Sequence, residues 1–208
     1  MRLKYKLFYN IQTMEIFDAF LLKFVPYNKV AFETFKALLS KEIQQIAKKD
    51  YIFQDGDKID KLYFIIEGDL RGFYINDKGE EITSEILFAP ILYTDNYAYA
   101  NNICTKLNLQ ALTTISFYSM QLADIELIIE KYQIINSFFR LYFSFLFNLN
   151  NKRRLSYIYE TNEERYLSLI KEHPKIIGNI PQHYIASYLG IKPETLSRIR
   201  KKIMKKQK

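Results

Sequence analysis

The sequence predicts an α+β protein in three parts: an N-terminal β-roll of the jelly-roll kind, a long central helix, and a C-terminal helix-turn-helix domain. Three observations predict it. Between Ile43 and about Leu122, short β-rich runs alternate with turn chemistry roughly every ten residues. Beyond residue 133 the apolar side chains change to helical spacing and hold it for several turns. Residues 180–204 then form two short amphipathic segments that meet at Gly190. The boundaries read as 14–132 for a sensor-like domain with N-terminal helices, 133–160 for the long helix, and 161–208 for the helix-turn-helix.

In the first part, residues 14 to 40 suggest two short helices around the Val25-Pro26 break, the second with Phe32, Phe35, Leu38 and Leu39 at helical spacing. Residues 1–13 have a weaker pattern, and Met14, which opens a cleaner helical one, is a candidate for the real start of the protein. The β-rich runs are Leu62–Ile66, Leu70–Ile75, Ile82–Phe88 and Leu107–Phe117. The turns between them include Asp55-Gly56-Asp57, Glu67-Gly68-Asp69 and Asn76-Asp77-Lys78-Gly79.

The central helix follows a break at Tyr132–Ile134. Phe138, Tyr142, Phe145 and Leu149 recur at 4-3-4 spacing, the rhythm of a paired helix, and Ile135, Phe139 and Leu146 make a second stripe beside it. A helix apolar on two faces needs two partners. One stripe is expected to cover the β-domain. Phe138, Tyr142, Phe145 and Leu149 are expected to meet a second copy of the chain; the alternative is a helix wholly buried in a monomer.

The helix-turn-helix is the most specific pattern. Thr161 and Glu164 form a capping box ahead of the domain's first helix. Pro181 opens the helix that buries Ile185, Ala186 and Leu189, and Ala186 is small enough to let two helices cross closely. Gly190 permits a left-handed turn. Pro193 and Glu194 then begin a helix over about 193–204 that buries Leu196, Ile199 and Ile203. Glu194, Thr195, Ser197, Arg198, Lys201 and Lys202 are left on or beside its outer face, with Gln182 at the start of the preceding helix.

Such a second helix enters the major groove of duplex DNA. Arg grips guanine bidentately, Glu accepts from cytosine, and Lys neutralises phosphate. Charge agrees: residues 150–208 carry 14 Lys and Arg against 5 acids, net +9, whereas residues 1–149 carry 16 against 18, net −2. A basic end on a nearly neutral body implies a polyanionic partner. A small helical hairpin with a solvated basic face is the plain alternative.

Residues 190–198 (Gly190-Ile191-Lys192-Pro193-Glu194-Thr195-Leu196-Ser197-Arg198) resemble the recognition-helix signature of the Crp/Fnr superfamily of bacterial regulators. Residues 53–57, 62–68 and 79–82 are similar to that family's cyclic-nucleotide-binding-type roll. The resemblance runs over about residues 30–204. It implies a homodimer joined through the central helix, an inverted-repeat site in double-stranded DNA, and RNA polymerase as a further partner. It also places Glu194, Thr195 and Arg198 at base-contacting positions. Two departures stand out. Lys192 replaces the usual Ser or Thr cap, at a cost of about 1 kcal/mol. The wing that follows the recognition helix in that family is expected to be reduced or absent, with a basic tail of Lys205, Lys206 and Lys208 in its place.

The sensor part lacks the family's common chemistries. The cradle for a cyclic phosphodiester needs a Gly-Glu pair and an Arg-Ser/Thr-Ala run, as the resemblance implies. Here those stretches read Ile91–Asn96 and Thr105-Lys106-Leu107, so cyclic AMP is not the expected effector. The one cysteine, Cys104, cannot hold a four-thiolate cluster and is read as a buried small hydrophobe. The two histidines, His173 and His183, both lie outside the β-domain, which excludes a His-ligated haem or metal there. No cofactor and no metal are expected, and the effector, if one exists, is unknown. Tyr93, Tyr97 and Tyr99 are candidates to line an apolar pocket.

No run spans a bilayer, since Arg140 and Asn148 interrupt the apolar stretch 138–149; a cytoplasmic protein is expected. The competing class is a jelly-roll enzyme or small-molecule-binding protein with a basic tail. It lacks a nucleophile motif, a His cluster or a Gly-rich phosphate loop, so no enzyme activity is expected.

Overall fold

The computed structural model describes residues 15–174 and 176–206, so residues 1–13, Met14 and the start of the chain lie outside the described part. A helix at residues 15–21 (α1) and α2 (Lys29–Lys36) flank the predicted break at Pro26. Asn28 caps α2 by accepting from the Ala31 N–H at 3.0 Å.

Eight strands follow: β1 (Gln44–Ile46), β2 (Tyr51–Phe53), β3 (Lys61–Glu67), β4 (Asp69–Ile75), β5 (Glu81–Phe88), β6 (Ile91–Tyr93), β7 (Asn108–Ala111) and β8 (Ile115–Gln121). They pair antiparallel in two four-stranded sheets, β1-β8-β3-β6 and β2-β7-β4-β5. This is the predicted jelly roll. The run expected as one strand, 107–117, is two, because the chain leaves β7 at Ala111 and joins the other sheet at Ile115. Gly68 makes the equally sharp turn from β3 to β4 at φ +96. A Cβ there would meet Thr114 O at 2.6 Å, so only glycine fits.

A short helix, α3 (Asn96–Ala100), sits between β6 and β7. Then α4 (Leu122–Lys131) and α5 (Gln133–Tyr159) are separated by Tyr132, as the sequence break predicts. With 27 residues α5 is about 40 Å long. It packs on the roll through an aromatic core in which Phe17, Phe20, Phe35 and Phe64 surround Phe138 and Tyr142. The Tyr142 hydroxyl donates to the Leu92 carbonyl at 2.6 Å, tying the helix to β6.

The C-terminal helices are α6 (Asn162–Glu172), α7 (Ile176–Asn179), α8 (Gln182–Tyr188) and α9 (Pro193–Lys206). The Thr161–Glu164 capping box is formed. No strand occurs beyond β8 among the described residues. Tyr166, Leu169, Ile176, Ile180, Ile185, Ala186, Leu189, Leu196 and Ile199 form a second core, which closes on Ile86 and Leu112 of the roll.

Candidate nucleic-acid interface

The turn between α8 and α9 is built by Gly190 at φ +67, which lets the chain reverse so that α9 crosses α8. The Ile191 N–H donates back to the Ala186 carbonyl at 3.0 Å, and Ile191 packs at the corner of the second core. Leu196 and Ile199 are buried, and Ile203 lies against the same core. At about 100° per residue, Glu194, Arg198, Lys201 and Lys205 fall on the opposite side of α9, and all four are exposed. Thr195 and Ser197 are half-buried on its flanks; Gln182 is exposed at the start of α8. The Arg198 Nη2 lies 3.4 Å from the Thr195 hydroxyl, a weak contact that leaves the guanidinium free to turn outward. Lys202 differs from the other basic residues: it pairs with Glu163 of α6.

The helix-turn-helix is docked on the roll by contacts that sequence reasoning missed. The Arg71 guanidinium of β4, 1% exposed, is sandwiched between the rings of Phe73 and Tyr184, 3.9 and 3.7 Å from their centroids. It also donates to Glu81 at 2.6 Å and to Gln110 at 3.1 Å. The edge strand β5 offers its Thr83 N–H to Ser187 Oγ of α8 at 2.9 Å, which covers part of an otherwise open sheet edge. Phe88 stacks on His173 with centroids 4.1 Å apart. Arg153 of α5 bridges three elements, donating to the Ser84 carbonyl of β5 and to the Tyr188 carbonyl of α8. A lone arginine in the apolar strand Leu70–Ile75 was the available signal for Arg71. Arg153 was hidden in Lys152-Arg153-Arg154, which reads as a solvated basic run.

Along α5 the expected seam divides. Phe138 and Tyr142 are 0% and 3% exposed inside their own chain and cannot meet a second copy. Phe145 and Leu149 are half-exposed, on the same side of the helix. The second stripe also turns inward: Ile135 and Phe139 are buried and Leu146 packs against the core. The first half of the expected seam and the second stripe thus serve this chain, because Phe20, Phe24 and Phe35 pack over Phe138 and Tyr142. The far side carries Phe143, Phe147 at 69% and Ile158 at 66% exposure.

Known proteins share this architecture. Residues 43–132 match the family model of the cyclic nucleotide-binding domain. Among solved structures, FixK2 from Bradyrhizobium japonicum superposes with a TM-score of 0.67 at 14% identity, over 80% of this chain and 85% of that one. The c-di-GMP-responsive global regulator CLP from Xanthomonas campestris gives 0.65 at 13%, over 86% and 93%. A regulator of the Crp/Fnr family from Eubacterium rectale gives 0.64 at 15%, over 86% and 85%. The chain has the Crp/Fnr fold. A comparison with curated protein sequences found no match.

Within this Crp/Fnr fold two carboxyl groups, Glu85 and Asp95, stand beside residues 91–96 and 105–107, the stretches expected to lack a phosphodiester cradle. The Tyr93 hydroxyl donates to Glu85, and burial pushes both pKa values up. Asp95 caps α3, accepting from the Ala98 N–H at 3.1 Å and from the buried Thr105 hydroxyl at 2.5 Å. Lys106 points away, to Asp55 at the surface. Of the three tyrosines expected at a pocket, Tyr93 lines one, Tyr97 is exposed and Tyr99 bonds Glu126. Cys104 is exposed, not buried as expected, because it lies beyond α3 in an isolated antiparallel bridge to Lys58 at the surface. Among the described residues no cluster of His, Cys, Asp and Glu suited to a metal is found, and no helix is long and apolar enough to cross a membrane.

Proposed function

We propose that this chain is a sequence-specific DNA-binding transcription regulator that works as a homodimer in the cytoplasm. The observation that carries the reading is α9 itself: a helix held by a buried stripe on one side, with Glu194, Arg198, Lys201 and Lys205 exposed together on the other. Glu194, Thr195, Ser197 and Arg198 lie in its first two turns, where major-groove readers touch base edges. Arg198 reads a guanine, Glu194 accepts from a cytosine, and Lys201, Lys202 and Lys205 neutralise phosphates, while Gln182 hydrogen-bonds to one. For Lys202 this requires giving up Glu163, an exchange of one carboxylate for a phosphate.

The dimer forms along the exposed side of α5, with Phe143, Phe147 and Ile158 in the seam. A two-fold dimer presents two recognition helices, so the site is an inverted repeat with half-sites about one helical turn apart. The carboxyl groups of Glu85 and Asp95 support an effector other than a cyclic nucleotide, and RNA polymerase is the expected partner at a promoter. Selecting bound sequences from a pool of random duplexes tests the function. An enriched inverted repeat is the expected result; a pool that binds without enrichment would leave only a basic surface.

A further inference from the structure

Where the roll, α5 and the helix-turn-helix meet lies a cavity of about 410 Å³, within the size range of small-molecule sites. One end is apolar, lined by Phe24 of the turn after α1, Phe145 and Leu149 of α5 and Leu87 of β5. The other end is polar and mixed in charge, with Arg153 and Arg165 beside Glu85, Glu160 and Glu172; Glu85 feels the Arg153 charge without forming an ion pair with it. Three buried side-chain atoms on this lining have no protein hydrogen-bond partner: Arg153 Nε, Arg165 Nε and Glu160 Oε2.

Such orphaned groups are costly, and more so when charged. Arg153 donates its other N–H groups to the Ser84 and Tyr188 carbonyls and the Tyr157 hydroxyl; Arg165 donates to the Glu160 carbonyl and Asn162 Oδ1. Every one of these acceptors is neutral. Among the described residues neither guanidinium has a carboxylate within ion-pair distance. The Tyr188 ring, 3.8 Å from the Arg153 carbon, does not relieve it. A guanidinium lying over a ring keeps its N–H bonds in its own plane, so Nε still needs an acceptor.

We propose that this cavity binds a medium-sized apolar carboxylic acid, its carboxylate accepting from Arg153 and Arg165 and its body lying against Phe24, Phe145 and Leu149. Glu160 Oε2 is an acceptor, so the head group that fits best also carries a donor, such as a hydroxyl beside the acid. The site would report to the DNA-binding domain directly, because Arg153 is the side chain that joins β5 and α5 to α8. That consequence rests on the regulator reading; the binding does not.

Calorimetric titration of the full chain with octanoate, 3-hydroxyoctanoate and octan-1-ol tests it. Octanoate should bind saturably, one per chain, with the hydroxy acid tighter and the alcohol about tenfold weaker or more, as loss of a charge-assisted hydrogen bond requires. Arg165→Gln should weaken both acids about tenfold and leave the alcohol unchanged. Arg153 also holds the domains together, so the second variant is Leu149→Trp, which keeps both arginines and fills the apolar end; it should abolish binding of all three. Failure of both acids to saturate, equal affinity for octanoate and octan-1-ol, or full acid binding by Leu149→Trp would each overturn the proposal. DNA is absent from the titration, so these failures are distinct from a failure of the DNA-binding reading.

Discussion

The Arg71 guanidinium carbon lies 3.7 Å from the centre of the Tyr184 ring, so a buried cation of the roll is covered by the first helix of the helix-turn-helix. The two halves of the molecule therefore share one desolvated contact. Replacing Arg71 with Met removes the cation–π contact and the bonds to Glu81 and Gln110, and should cost about 2 kcal/mol in denaturant unfolding. Tyr184→Phe keeps the ring and should stay within about 0.5 kcal/mol of wild type. Equal destabilisation of the two variants would show that the ring face is not what matters.

The stacked pair Phe88 and His173 makes the same docking sensitive to acid. Burial lowers the His173 pKa below its ordinary 6.5, while Glu172 and Asp69 pull it back up in part. The folded state thus favours the neutral ring. Its contribution is fully present above about pH 6.5 and declines as the pH falls through that value toward the lower folded pKa. His173→Phe retains the stack and cannot titrate. Between pH 7.5 and 5 its melting temperature should fall less than that of wild type; parallel curves would show that His173 does not couple docking to pH.

Phe147→Glu should dissociate the dimer, because it puts a carboxylate into an apolar seam, whereas the buried Phe138 is no seam residue. Sedimentation velocity reads the outcome. A wild-type chain that is monomeric at micromolar concentration would end the dimer proposal.

Much of this was legible in the sequence because it rests on local rules. Turn residues bounded the strands, the capping box at Thr161 and Glu164 marked α6, and Gly190 marked the corner of the helix-turn-helix. Spacing put Phe138, Tyr142, Phe145 and Leu149 on one stripe, but a period cannot say which surface covers it, and the expected seam divides into a buried half and a half-exposed one. Over the buried half, Phe20 of α1 and Phe24 of the turn behind it meet Tyr142 at 5.5 and 5.4 Å between ring centres. The docking residues Arg71, Ser187, His173 and Arg153 come from four separate elements, and only the tertiary structure brings them together. Cys104 shows the same limit: an apolar side chain next to Ile103 reads as core, yet both lie exposed after α3.

Cyclic AMP and cyclic GMP should not bind measurably. The carboxyl groups of Glu85 and Asp95 stand beside the stretches that would cradle a phosphodiester, and Lys106 is turned to the surface. Titration calorimetry with either nucleotide is the check, and a micromolar dissociation constant would contradict the reading of residues 91–107.

The most direct test of the central claim is the affinity of Arg198→Ala for the selected inverted repeat and for a scrambled duplex, each at two salt concentrations. Arg198 stands one turn into α9 on the side away from Leu196, so its removal should cost about 1–3 kcal/mol on the selected site and relax discrimination at one base position. The scrambled duplex should be weakened far less. Lys205→Ala provides the contrast: it should weaken both duplexes alike and flatten the plot of log affinity against log salt by about one unit, the share of a single neutralised phosphate. If Arg198→Ala weakens both duplexes equally, α9 does not read bases and the proposed function is wrong.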